Sequence, residues 1–184
     1  MDTSAGADLT RPGRALPGNG SGQGAGQGPG RSVEWALRPA EQADVEVIAE
    51  LRATVMRPDL ERLGRFDERR VRRRLRESFF PGHTSVVIVD GDFAGCVTLR
   101  PAEDGLWLEH FYLVPDLQGR GLGSAVLRAQ LDRTDADRLP VRLNVLQGSA
   151  ARRLYERHGF TVEVQDPIDV FMVRRPVRDE EVRS

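Results

Sequence analysis

Val114-Pro115-Asp116-Leu117-Gln118-Gly119-Arg120-Gly121-Leu122-Gly123-Ser124 joins an apolar run, Leu106 to Val114, to a segment from Gly121 to about Arg133 in which Leu122, Val126, Leu127 and Leu131 recur at helical spacing. The first run predicts a strand and the second an amphipathic helix, so the glycines at 119, 121 and 123 sit at a strand-to-helix turn. That placement suits an anion. Glycine lets the backbone approach a bound oxygen with no Cβ in between, and the first turn of the helix offers unpaired N–H groups at the positive end of its dipole. Arg120 adds charge. The same turn would also serve a chain that merely packs a helix on a sheet, so the loop alone leaves both readings open.

The flanking sequence supplies the other elements. Upstream, Val33 to Arg38 reads as a short strand ended by Pro39. Ala43 to about Val55 carries Val47, Ile48, Leu51 and Val55 on one helical face, and Pro58 predicts a break. A second helix runs from a cap at Asp67 to Ser78, with Val71, Leu75 and Phe79 inward. Thr84–Val89, Phe93–Arg100 and Leu106–Val114 read as a meander whose first turn is Asp90-Gly91-Asp92. Downstream come a strand Pro140–Leu146, a short helix Ala150–His158 that Ser149 caps and Gly159 stops, and strands Phe160–Val164 and Val170–Val173. The order predicts a mixed α/β fold, a mostly antiparallel sheet of about seven strands flanked by about four helices. It is not a doubly wound one.

Residues 1–32 are rich in Gly, Pro, Ser, Ala and Gln and read as a disordered tail, 33–174 as one domain, and 175–184 as a frayed end. The glycines between Gly22 and Gly30 follow no strand, and the sequon Asn19-Gly20-Ser21 lacks a secretory context. No apolar run approaches the roughly 20 residues of a membrane span, and the N-terminus has no signal-peptide pattern, so the expected location is cytoplasmic. The formal net charge of −1 speaks against nucleic acid and acidic membrane as partners, since both rest on a net positive field. All 27 of the Lys and Arg residues are arginine, which removes the lysine that a Walker-type phosphate loop requires. Six arginines between Arg69 and Arg76 make a dense basic run, read as a solvated face or as a dock for an anionic group. Cys96, in an apolar strand, reads as a buried thiol. His83, His110 and His158 show no ligand spacing, so no metal is expected.

The second signal is Ala151-Arg152-Arg153-Leu154-Tyr155-Glu156-Arg157-His158-Gly159-Phe160. On a helix, Ala151, Leu154, Tyr155 and His158 share a face, so Tyr155 points toward the sheet, either as a core residue or as a phenol placed to serve a leaving group. Together the two segments resemble the Gcn5-related N-acetyltransferase (GNAT) superfamily. Gln118 to Gly123 matches its Q/R-x-x-G-x-G/A motif and Ala151 to Phe160 its A-x-x-x-Y-E-x-x-G-F segment, and the element order from Val33 to about Val173 matches its fold.

The resemblance implies an N-acetyltransferase that uses acetyl-coenzyme A as co-substrate and a primary amine, small molecule or peptide, as acceptor. It implies a strand before the loop that splays from its neighbour, with Leu113 and Val114 lining the pantetheine arm. The pyrophosphate would lie on the loop Gln118, Gly119, Arg120, Gly121, Leu122, Gly123 and Ser124, and Tyr155 would face the coenzyme sulfur. Many relatives carry Asn-Pro-Ala before the last helix where this chain has Ser149-Ala150-Ala151, so the corresponding contact passes to Ser149 or Asn144. Glu109 is the expected general base, with His110 on the opposite strand face in reserve, and backbone N–H groups near Leu113 and Val114 would meet the oxyanion. An irregular segment Met56–Phe66, where Arg57, Asp59, Glu61 and Arg62 cluster, would line the acceptor site together with the strand face of Glu109, or these are ordinary loop surface charges. Met56-Arg57-Pro58 followed by Asp67-Glu68 is similar to a bacterial branch of the superfamily. A non-catalytic acyl-coenzyme A sensor of the same fold is the alternative, and both monomer and homodimer are open.

Overall fold

The computed structural model describes residues 34–176. The expected N-terminal tail, and all but Arg175 and Pro176 of the C-terminal one, lie outside the described residues. Seven strands, β1 (Trp35–Pro39), β2 (Thr84–Val89), β3 (Asp92–Ala102), β4 (Gly105–Leu113), β5 (Val141–Leu146), β6 (Thr161–Gln165) and β7 (Asp169–Arg174), form one sheet in the order β1-β2-β3-β4-β5-β7-β6. Every neighbouring pair is antiparallel except β4 and β5. The expected mixed, mostly antiparallel architecture is therefore found.

Among the described residues four α-helices cover the sheet. Strand alternation sends one set of side chains to each face. Val87, Val97, Leu108, Leu143 and Met172 pack with Val126, Leu127 and Tyr155 from α3 (Leu122–Ala136) and α4 (Ala151–Arg157). Val86 and Cys96 face the other way, against Ile48 and Ala49 of α1 (Val45–Arg62) and Leu75 of α2 (Glu68–Ser78). The Asp67 carboxylate accepts from the Arg70 N–H at 2.8 Å and caps α2 as expected. No helix among the described residues is long and apolar enough to cross a membrane.

One expectation fails. Pro58 does not break α1, which continues to Arg62, so Met56–Phe66 is mostly helical instead of irregular. An interior proline removes the bond to the carbonyl four residues back, here that of Thr54, an exposed residue. The turn beyond is fastened on its own: Asp59 pairs with Arg62 at 2.9 Å, and the Leu63 and Arg65 N–H groups donate to the carbonyls of Asp59 and Leu60.

The arginines of α2 divide by face. Arg72 and Arg76 each make two hydrogen bonds to a glutamate of α1, Glu50 and Glu46 respectively, and thereby tie the helices together. Arg69, Arg70 and Arg74 point outward.

Candidate active site

The parallel strands β4 and β5 are paired only from Leu106 to Leu108 against Val141 to Leu143. Beyond Leu108 they separate, while β4 stays paired with β3 and β5 with β7. The sheet therefore has a gap at its centre, bordered by Glu109–Leu113 on one side and Asn144–Leu146 on the other. At the far end of β4, Val114 N–H donates to Ala94 O at 2.9 Å and Val114 O accepts from Leu117 N–H. Both backbone groups of Val114 are thus engaged. Antiparallel alternation then turns the Leu113 N–H to the opposite edge, toward the gap, while the Leu113 carbonyl accepts from the Gln118 side-chain amide at 2.8 Å.

Gln118 leads straight into the glycine loop. Gly119 and Gly121 have φ of 71° and 86°, a left-handed conformation that an L side chain enters only with strain, and a Cβ at either would meet open space. Their side is where the N–H groups are free. Gly121 is the N-cap of α3 and brings no side chain to the helix end, so the amides of Leu122, Gly123 and Ser124 have no partner among the described residues. The Leu122 side chain itself is buried in the core. Gly123 lies against Leu113 and Leu154, where a Cβ would be 3.6 Å from each.

Tyr155 of α4 reaches the sheet beside that loop. Its ring is 7% exposed and meets Phe160 edge-on at 5.7 Å. Its hydroxyl makes no hydrogen bond with a described residue, and burial raises its pKa, with a smaller contribution from Tyr112 across the sheet. The group keeps its proton. Ser149 Oγ accepts from Ala151 N–H at 3.4 Å at the start of the same helix. Asn144 lies on the α1/α2 face of β5, opposite to α4, and donates to Asp169 at 3.1 Å, which takes it away from the loop.

The α1/α2 side of the gap is shaped by a bulge. Thr98 pairs with Glu109 and Cys96 with Tyr112, so His110 and Phe111 together oppose Val97, and His110 has φ of 47°. This corrects the expectation that Glu109 and His110 point to opposite faces: the extra residue turns both toward α1 and α2, and Phe111 and Leu113 toward α3. Glu109 is bound by Arg100 at 2.8 and 3.3 Å. His110 sits between Arg52, Ser78 and Tyr112, and burial, reinforced by the Arg52 charge, pushes its pKa down to about 4. Tyr112 OH accepts from Arg52 at 2.6 Å, and Cys96 Sγ–H donates to the His110 carbonyl at 3.0 Å.

Arg57, Asp59 and Glu61, expected at the acceptor site, lie on the last turns of α1 and are engaged locally: Arg57 with Glu61 and Glu68 and over the Phe66 ring, and Asp59 with Arg62. The residue that reaches across is Arg62, which donates to Gln147 O at 2.6 Å in the β5–α4 connection. Gln147 in turn donates to Asp166 O before β7. Arg62 belongs to the charged cluster expected at the acceptor site, whereas Arg52 and Tyr112 are not visible as site residues in the sequence. The bulge left a trace there, because inward positions run Leu106, Leu108 and then Phe111, Leu113, a change of phase that one extra residue explains.

A strand-end glycine loop with open amides, a neighbouring strand that parts from its partner and a buried phenol thus lie together at the gap. Residues 81–162 match the family model described as acetyltransferase (GNAT) domain. The match spans the loop and the Tyr155 helix, so the resemblance that the two motifs carry is found. Among solved structures, the PaiA N-acetyltransferase from Thermoplasma acidophilum, in complex with coenzyme A, is similar at 19% identity and a TM-score of 0.64, over 77% of this chain and 98% of that one. The ribosomal-protein-S18-alanine N-acetyltransferase from Escherichia coli is similar at 19% identity and a TM-score of 0.56, over 79% of this chain and 97% of that one. At these identities the likeness is one of fold. No curated protein matches the chain significantly.

Proposed function

We propose that this GNAT-type chain transfers the acetyl group of acetyl-coenzyme A to a primary amine by direct attack on the thioester. The observation that carries this reading is the gap between β4 and β5, with the open amides of the glycine loop at its end. Three consecutive unpaired N–H groups at a helix start, with no Cβ at 119 or 121, suit a pyrophosphate. Bound there, the coenzyme supplies an activated acyl group on a good leaving sulfur.

The chain's own residues then have distinct tasks. The Leu113 N–H faces the gap and stabilises a developing oxyanion; Val114, whose N–H is spent on Ala94, does not share that task. Tyr155 holds its proton and donates a hydrogen bond to the departing sulfur. Its raised pKa makes it a donor that is never ionised at neutral pH. An amine of pKa near 10 is about one part in a thousand neutral at pH 7, so a proton must leave it. Glu109 takes that proton through water, using the lone pairs that Arg100 leaves open. His110 is a poor base at neutral pH, its pKa being about 4 and both nitrogens being engaged. Arg57, Asp59, Glu61 and Arg62 frame the acceptor entrance.

The experiment is thiol release from acetyl-coenzyme A against a panel of small amines, amino acids and peptides. Turnover with at least one amine is expected, and coenzyme binding with no release across the panel would establish the sensor alternative, which the Arg100 grip on Glu109 favours.

A further inference from the structure

Arg52 of α1 stands over His110 and Tyr112, two of the β4 residues that border the gap. Its NH1 group donates to the Tyr112 hydroxyl at 2.6 Å and lies 3.4 Å from Nδ1 of His110. Nε is buried without a partner, and NH2 makes no hydrogen bond with a described residue. Nε–H and NH2 form one edge of a guanidinium, a pair of parallel donors that fits the two oxygens of a carboxylate. Arg72, Arg76 and Arg100 each hold a glutamate by that same edge. On Arg52 no described residue takes it.

The contrast extends to the other arginines. Among the described residues Arg38, Arg72, Arg100, Arg142, Arg152 and Arg174 are partly buried like Arg52, and each pairs with a carboxylate. Arg52 pairs with none. Acids of the neighbouring elements are held by other arginines, Glu46 by Arg76, Glu50 by Arg72 and Glu109 by Arg100. The groups that do face Arg52 carry no negative charge: burial keeps Tyr112 and Cys96 protonated, each with its pKa pushed up to about 12, and His110 is neutral. The Tyr112 ring, with its centroid 5.8 Å from Cζ, brings no formal charge either. A guanidinium withdrawn from water is costly unless an anion meets it.

Resting on the proposed acetyl transfer, we infer that Arg52 receives the carboxylate of the acceptor, so that the acceptor is a free amino acid and not a polyamine or a protein lysine. Tyr112, which Arg52 touches, precedes Leu113, whose N–H faces the gap, and consecutive Cα atoms are only about 3.8 Å apart. A carboxylate and an amine joined through one carbon suit so short a span. A diamine would instead set a second cation against Arg52 in a partly closed site. In the transfer the amine nitrogen bonds the acetyl carbon and the C–S bond breaks. An N-acetyl amino acid, coenzyme A thiol and a proton are released. Tyr112 has a positioning task, since its hydroxyl fixes NH1 and leaves the other edge of the guanidinium for the ligand.

Initial rates of thiol release by the full chain, with each standard amino acid beside its α-amide and with 1,4-diaminobutane, test this. At least one amino acid is expected to exceed its own amide and the diamine about ten- to a hundredfold in kcat/KM, the factor that charge-assisted hydrogen bonds to one carboxylate give. Arg52→Gln brings that acid-to-amide ratio near one and Arg52→Lys retains part of it. Arg69→Ala, on the exposed face of α2, leaves the ratio as in wild type. Calorimetry with coenzyme A shows that the Arg52 variants are folded and that their loss sits with the acceptor. Amides or the diamine used as well as the amino acids, a ratio that survives in Arg52→Gln, or an equal loss in Arg69→Ala overturns the inference while acetyl transfer stands. If the Arg52 variants fail to bind coenzyme A, the wild-type ratio alone decides. Coenzyme binding with no release from any amine overturns the acetyl-transfer reading with it.

Discussion

Nδ1 of His110 lies 3.4 Å from NH1 of Arg52, and that contact fixes the state of the imidazole. A guanidinium has no acceptor, so Nδ1 must carry the lone pair. The Ser78 hydroxyl donates to the Arg74 carbonyl at 2.7 Å and so accepts from Nε2–H of His110 at 3.1 Å. The ring is neutral, with its proton on Nε2, and a positive φ at His110 is what brings it there.

A pH dependence follows from that neutrality. The folded pKa is about 4 against an ordinary value of 6.5, so the unfolded chain binds the extra proton between those values. Stability is then complete above pH 6.5 and declines as pH falls toward 4, by roughly 3 kcal/mol for a shift of this size. Urea unfolding at pH 7 and at pH 4.5 should show this loss in wild type and a much smaller one in His110→Asn. Equal losses in the two proteins would place the imidazole in solvent.

Cys96 should be silent toward thiol reagents in the native protein. Burial pushes its pKa up to about 12, and its S–H is committed to the His110 carbonyl. Labelling by a disulfide reagent should proceed at the rate of unfolding and become immediate in denaturant. Fast native labelling would mean that the bulge opens.

Tyr155→Phe keeps the ring contact with Phe160 and removes only the hydroxyl. Coenzyme affinity and thermal stability should change little, while kcat falls about ten- to a hundredfold, the share of one transition-state donor. An unchanged kcat would make Tyr155 a packing residue.

Gly121→Glu places a side chain at φ 86° and a carboxylate where the open amides point. Coenzyme affinity should drop by at least a hundredfold, with a stability cost of about 1–2 kcal/mol for the left-handed backbone. Gly121→Ala carries the same backbone cost without the charge, so comparing the two by calorimetry and thermal melting separates strain from anion repulsion.

Arg62→Ala removes the contact from α1 to Gln147 O and the ion pair with Asp59. The variant should raise KM for the acceptor more than for the coenzyme, because on the proposed reading this end of α1 frames the acceptor entrance. A loss confined to the coenzyme KM would contradict that placement.

The element order, the glycine turn and the Tyr155 helix were all legible in the sequence because each rests on a local pattern: alternation, glycine at a strand end, helical spacing. What escaped was set by geometry between distant segments. The continuation of α1 past Pro58 goes with an exposed residue, Thr54, four positions back and with ion pairs formed only once the helix exists. The bulge was written in the phase change between Leu108 and Phe111, but its consequence, two consecutive polar residues on one face, depends on His110 finding Arg52 and Ser78 on two helices. Val114 lost its expected role through a bond to Ala94, on the opposite side of a meander that periodicity cannot register.

The parting of β4 from β5 leaves backbone of both strands unpaired with each other at the centre of the sheet, where its two faces come nearest. In the proposed reaction the coenzyme enters from the α3/α4 side and the amine from the α1/α2 side, so neither has to leave before the other arrives. Kinetics for such a plan are sequential: initial-rate lines for the two reactants intersect, no acyl-protein accumulates, and the two products depart through separate doors.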